Sequence, residues 1–220
     1  VVCKLHDFLG FVLLNEKGLQ VAALFQDPIG EKRLVEQSSF FQLSLQGKTV
    51  VSHPFIATID LPDKKNNWLP NQPTMFVSTP IKSATGKIIG VLSFRIRPEK
   101  GFSKIMQVSR FGKSGETYVF NKNGIMLTES RFNEQLKHLK LIPGNIDSRS
   151  ILEVKIQVPA KLAKTNSSAT NSRLTLLAES AIQGDTKENL EGYLNYRGVL
   201  VVGAWTWLTD FDFGIGTEIE

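Results

Sequence analysis

The order in which apolar residues alternate or recur at helical spacing predicts a layered, sheet-based architecture. Phe11–Leu14 and Leu19–Phe25 are two short apolar runs around Asn15-Glu16-Lys17-Gly18, a turn whose glycine sits where positive φ is expected. Asp27-Pro28 breaks the second run. From Glu31 to Gln46 the residues Leu34, Val35, Phe41 and Leu45 fall on one helical face, and Gly47 ends it. Thr49–Ser52 reads as a strand. Residues 53–73 carry Pro54, Pro62, Pro70 and Pro73 and read as a loop. Met75–Ile81 and Lys87–Arg97 are then two strands joined by Lys82–Gly86. Strand, strand, helix, strand, strand, strand implies one antiparallel sheet with its helical cover on one face.

After Pro98 the pattern restarts. Glu99–Ser109 places Phe102, Ile105, Met106 and Val108 partly at helical spacing and predicts a connecting helix. Thr117–Phe120 and Ile125–Thr128 flank Asn121-Lys122-Asn123-Gly124, which repeats the Asn-x-x-Gly turn of Asn15–Gly18. Asn133–Leu139 predicts a short helix and Ile151–Val158 a strand. Pro159–Ser172 is polar and low in complexity, as an exposed, mobile loop would be. Ser172 is placed to cap a helix over Arg173–Gln183, with Leu174, Leu177, Ala178 and Ala181 on its apolar face. Tyr193–Tyr196, Val199–Leu208 and Phe213–Ile219 close the chain as a meander. Arg197-Gly198 is a tight hairpin between the first two, and Thr209–Asp212 a turn between the last two. The pair Met75–Arg97 parallels Tyr193–Leu208, a second ordered correspondence. The expected fold class is α+β: two modules, residues 1–98 and 99–220, each a central antiparallel sheet with helices packed on it.

Composition narrows the functions. With 220 residues, 41% hydrophobic and 21% charged, the chain can bury a substantial core. Its net charge of +5 is scattered rather than gathered into a stripe with stacking aromatics, which argues against a nucleic-acid surface. Cys3 is the only cysteine, so an intramolecular disulfide and cysteine zinc sites are excluded. His6, His53 and His138 lack metal-ligand spacing. Gly112-Lys113-Ser114-Gly115 is too short for a phosphate-binding loop and precedes a strand, so a turn is the better reading. Asp210, Asp212, Glu218 and Glu220 read as solvated surface carboxylates at a turn and a chain end. No catalytic group, metal or cofactor site is expected. No run of 18 apolar residues is present, and the chain opens on Val1-Val2. The expectation is an excised segment with its membrane spans beyond both ends.

Two stretches carry a family resemblance. Gly192-Tyr193, Tyr196-Arg197-Gly198, Val202-Gly203-Ala204-Trp205, Trp207-Leu208, Gly214-Ile215 and Thr217-Glu218-Ile219 resemble the end of the membrane-proximal module of double Cache sensor domains. Arg110 to Phe132, through Gly112-Lys113-Ser114-Gly115-Glu116-Thr117-Tyr118, resembles the start of the same module. The resemblance implies tandem PAS-like modules lying outside the membrane, the first sensing a small molecule and the second relaying. It further implies a homodimeric receptor of the cell membrane, anchored by flanking transmembrane helices, with a histidine kinase as output. A cyclase, a chemoreceptor or a Ser/Thr kinase is the alternative output. A ligand-free structural or dimerisation module, and an enzyme with an unfamiliar site, are readings of other classes.

For the distal pocket the candidates are Trp68, Met75, Phe76, Ser78, Phe94 and Arg95. In amino-acid-binding members of the resembled family, a carboxylate on the fifth strand holds the ligand's ammonium group. Aligning Gly90–Ile96 on that strand puts Arg95 at or near that position, and the tyrosine-arginine-tryptophan run of those members is not recognisable. An arginine there suits a carboxylate or another anion, through paired charge-assisted hydrogen bonds. The alternative is that strand alternation turns Arg95 to solvent, opposite Phe94. In the second module Tyr118, Arg131, Tyr193 and Trp205 would line a further pocket, or else form a rigid core, with Arg131 paired to a carboxylate such as Glu218.

Overall fold

The computed structural model describes residues 8–24, 29–32, 39–57, 61–62, 68–107, 111–145, 148–159 and 173–220, with 61–62, 68–69 and 107 described in their backbone alone. The chain divides into two compact units, Val1–Gly101 and Phe102–Glu220.

The first unit is built on β1 (Gly10–Asn15), β2 (Gln20–Ala23), β3 (Val50–Val51), β4 (Phe55–Ile56), β7 (Pro73–Lys82) and β8 (Ile88–Ile96), with α1 (Ser39–Leu45) on one face. The strands lie in the order β2-β1-β8-β7-β3, and β4 also pairs with β7. All neighbours run antiparallel. Alternation along each strand sends Val12, Leu14, Phe76 and Val91 to the helix side, where they meet Phe40 and Phe41 of α1. The proline-rich stretch read as a loop contains β4 and a small hairpin of β5 (Leu61–Pro62) and β6 (Trp68–Leu69). These strands are only two residues long, too short for hydrophobic alternation to signal. Of the helix expected over Glu31–Gln46, the described part is helical from Ser39 to Leu45, while 33–38, including Leu34 and Val35, lie outside the described residues.

In the second unit the sheet order is β10-β11-β12-β9. The strands are β9 (Glu116–Phe120), β10 (Lys187–Leu194), β11 (Leu200–Leu208) and β12 (Phe213–Ile219). Helix α4 (Leu176–Ile182) covers one face through Leu177, Ala178 and Ala181. Its cap is Thr175, whose hydroxyl accepts from the Ala178 N–H; Ser172 lies outside the described residues. Helix α2 (Phe102–Gln107) brings Phe102 and Met106 against Val119, Leu127 and Phe213 on the opposite face. Helix α3 (Asn133–His138) sends Leu136 into the main core.

Three expectations are corrected here. Ile125–Thr128 and Ile151–Val158 are not strands: they touch their neighbours through the isolated bridges Phe120↔Met126, Ile125↔Lys155 and Gln157↔Leu174. Their side chains are buried by packing rather than by a ladder, so alternation there reports burial alone. The turn into β11 spans four residues, Asn195–Gly198, and is a third Asn-x-x-Gly turn. The internal correspondence also shifts. The final strand of each unit, β8 and β12, pairs with that unit's first strand, β1 and β9. Met75–Arg97 therefore matches β11 and β12, not Tyr193–Leu208. Pattern alone cannot count strands from a sheet's edge; pairing can.

Candidate functional site

In the first unit the helix-side floor of the sheet carries a polar row across its centre. Register pairs Gly10 with Arg95, Arg95 with Phe76, and Ser93 with Ser78. Strand period two then puts Arg95, Ser93 and Val91 of β8 on the same face as Thr74, Phe76 and Ser78 of β7. Arg95 is 7% exposed and its Nε donates to Thr74 Oγ1 at 2.9 Å. The Ser78 and Ser93 hydroxyls are 2.7 Å apart, both wholly buried. Phe76 stacks on Phe40 and Phe55 at centroid separations of 5.5 and 6.1 Å, making an aromatic wall beside the row. Gly10, directly across from Arg95, has no side chain to cover it. Burial pulls the Arg95 guanidinium down to about 10, with Glu99 opposing the fall, so it stays charged at neutral pH.

Of the six distal candidates, Phe76, Ser78 and Arg95 share this inner face. Met75 and Phe94 do not. Each is next in sequence to an inward residue, so the pleat turns it to the other face, where Phe94 stacks on Phe8 at 4.8 Å. Trp68 lies on β6, and its side chain is outside the described residues. Thr74 and Ser93 of the floor, and Phe40 and Phe55 of the aromatic wall, are further residues of this site beyond the sequence candidates. The signal was available for the first two: residues two positions from Phe76 and Arg95 must share their face.

The second unit's inner face is filled by its own side chains. Tyr118, Tyr193 and Trp205 are buried members of the core. Tyr118 meets Tyr196 edge-on at 5.5 Å, and Tyr193 meets Trp205 at 5.9 Å. Three glycines make room for this filling. A Cβ on Gly214 would strike the Phe120 ring, one on Gly216 would strike Leu177, and one on Gly203 would strike the Tyr193 hydroxyl and the Thr217 carbonyl. Arg131 lies at the edge of this core, its guanidinium donating to the carbonyls of Gly115 and Gly112 at 2.7 and 2.9 Å. It does not pair with Glu218.

Glu218 instead lies inside, as does Glu116, at 2% and 3% exposure. The two are direct partners across β12 and β9. Glu116 accepts from the Ser130 hydroxyl at 2.7 Å, the Tyr196 hydroxyl at 2.5 Å and the Arg131 backbone N–H at 2.6 Å. Glu218 accepts from the Tyr193 hydroxyl at 2.9 Å and, at 3.4 Å, from the Asn195 amide. Burial raises the Glu218 carboxyl to about 7, against the hydroxyl and amide donors that favour its charged form. Glu218 therefore is no surface carboxylate, contrary to the expectation from its place near the chain end.

The architecture has solved counterparts. The ligand-binding domain of the Pseudomonas aeruginosa PAO1 amino acid chemoreceptor PctB, in complex with L-Arg, matches with TM-score 0.52 and 12% identity over 98% of this chain and 72% of its own. The sensor domain of the V. cholerae histidine kinase DctB matches with TM-score 0.54 and 13% identity over 99% of this chain and 74% of its own. The ligand-binding domain of the Campylobacter jejuni chemoreceptor Tlp3, in complex with L-valine, gives 0.52 and 16% over 98% and 68%. This chain shares their fold. No family model matches the sequence, and no curated protein is significantly similar to it. Among the described residues no helix is long and apolar enough to cross a membrane, and no cluster of three His, Cys, Asp or Glu could hold a metal.

Proposed function

We propose that this chain is the extracytoplasmic ligand-sensing domain of a transmembrane receptor, in which Val1–Gly101 binds a small anionic metabolite and Phe102–Glu220 relays the signal. The observation that carries this reading is Arg95: a guanidinium on the inner floor of the first sheet, beside three hydroxyls and an aromatic wall. Apolar walls with a few convergent polar groups are the make-up of small-molecule sites. The guanidinium fork matches a carboxylate in two parallel hydrogen bonds. Solved domains of the same fold support ligand sensing, since their names record complexes with L-arginine and L-valine. The aromatic filling of the second unit supports a relaying role for it rather than a second ligand site. A ligand would act through unequal affinity for two conformations, in a receptor that is dimeric, held by flanking membrane spans and coupled to a histidine kinase.

A thermal-shift screen of the purified chain against carboxylates, amino acids, amines, sugars and inorganic anions tests the reading. At 100 times its dissociation constant a ligand adds about 2.7 kcal/mol of stability, a shift of several degrees for units of this size. A carboxylate hit is expected, lost in Arg95→Ala and weakened in Arg95→Lys, which keeps the charge but not the fork. A hit that survives Arg95→Ala removes Arg95 from the site. No hit in any class would favour a structural or dimerisation module instead.

A further inference from the structure

The final strands of the two units place their inward polar residues alike. Arg95 on β8 faces the first residue of β1, Gly10; Glu218 on β12 faces the first residue of β9, Glu116. In the first unit the partner has no side chain. In the second unit it is another carboxylate. Two acids buried face to face on neighbouring strands resist ionising together when no cation lies between them, so the pair holds a proton that one acid alone would have lost.

Among the described residues no cation is given to either. The groups around the pair are accounted for element by element. From β9 come Glu116 itself and the Tyr118 hydroxyl, which is wholly buried, faces Glu218, and makes no hydrogen bond of good geometry. From β10 comes Tyr193, and from the turn that follows it Asn195, Tyr196 and Arg197. Arg197 spends its guanidinium on Gln135 and Glu220, over the face of the Phe132 ring at 3.7 Å. From the 129–132 segment come Ser130 and Arg131, the latter committed to backbone carbonyls. Gly203 of β11 sits opposite Glu218 and offers no charge, and α4 presents Leu177, Ala178 and Ala181. The donors are unequally shared: Glu116 has three short ones, whereas Glu218 has one short and one long, with the Tyr118 hydroxyl close beside it.

We propose that Glu116 and Glu218 form a single-proton centre in the second unit, a pair of facing carboxylates that holds one proton on Glu218, the acid with fewer close donors, and gives it up as the medium becomes less acidic. The released state holds two negative charges across the last rung of the β9–β12 ladder. Repulsion acts there, where Glu218 also holds Asn195, whose side-chain oxygen shapes the β10–β11 turn by accepting from Arg197 and Val199 N–H groups. The unit is thus a proton-responsive element, independent of what the first unit binds.

Urea unfolding of the 220-residue chain, followed by tryptophan emission between pH 5 and 8, tests this, since Trp205 and Trp207 both report from the second unit. Each pH unit from 5 to 7 should shift the folding equilibrium about tenfold toward unfolding, with a plateau above. Glu218→Gln, which mimics the protonated acid in shape and charge, should remove the slope. Tyr193→Phe, by deleting a donor to the charged form, should move the plateau to higher pH. A wild-type chain flat over this range, or a slope that persists in Glu218→Gln, overturns the proposal. Should Glu218→Gln fail to fold, difference infrared spectra of the wild type decide. A buried carboxylic-acid carbonyl band present at pH 5 and gone at pH 8 supports the centre, and its absence at pH 5 overturns it.

Discussion

Gly203 holds a place that no other residue could take without displacing chemistry. The Tyr193 hydroxyl crosses over it to reach Glu218, and the Thr217 carbonyl closes the other side. Gly203→Ala is therefore expected to cost about 1–3 kcal/mol by overpacking, read as a lower urea midpoint. It should also disturb the titration of Glu218, because the displaced atom is that acid's main donor. The sign of that titration follows from burial. Folding raises the Glu218 carboxyl from 4.5 to about 7, so the folded state binds the proton more tightly than the unfolded chain does. Its contribution to stability is complete below about pH 4.5 and is lost as pH rises toward 7, at about 1.4 kcal/mol for each pH unit. Wild type minus Glu218→Gln isolates this from every other titrating group.

At the scale of elements the turns are the most regular feature. Asn15, Asn121 and Asn195 each accept two backbone N–H groups on their side-chain oxygen, and Gly18, Gly124 and Gly198 each follow at positive φ. The three turns are near copies, but only Asn195 also donates to a buried acid. Asn195→Ala should accordingly destabilise more than Asn15→Ala or Asn121→Ala. The latter two are expected to cost about 1 kcal/mol, the worth of a typical hydrogen bond, in parallel urea series. Helix α4 rests on its cap in the same way: Thr175→Ala is expected to cost about 1 kcal/mol in the same urea series. This corrects where composition pointed, since Ser172 is the better cap of the two as a residue type. Only the fold says which of them begins the helix.

For the whole molecule, one sheet plan recurs in two units. Each unit joins its first strand to its last and covers one face with a helix. What differs is what fills the space beneath. In the first, hydroxyls and Arg95 interrupt an aliphatic and aromatic floor. In the second, tyrosines and tryptophans occupy it. Phe76→Ala should cost the first unit about 3–5 kcal/mol of stability, read as a lower urea midpoint, and weaken any ligand shift. Leu177→Ala, beneath α4, should cost about 2–5 kcal/mol in the second, read from Trp205 and Trp207 emission.

Local chemistry was enough to mark several strands and the Asn-x-x-Gly turns. Alternation, Asn-x-x-Gly turns and apolar helix faces arise from nearest neighbours, and β12 runs from Phe213 to Ile219 as its sequence pattern predicts. A resemblance to a known family likewise rests on short runs, Arg110–Phe132 and the closing strands, and the fold it implies is the one shared with the solved structures. Facing was harder. Whether Arg95 looked inward depended on which side α1 packs, and Met75 and Phe94 were assigned to a face that strand period denies them. Partnership was out of reach altogether. Glu116 and Glu218 are 102 residues apart by their numbering, and nothing in either neighbourhood announces that β9 and β12 will set them opposite each other. Propensity acts over a few residues, whereas burial, register and the electrostatics they impose are decided only when distant strands meet.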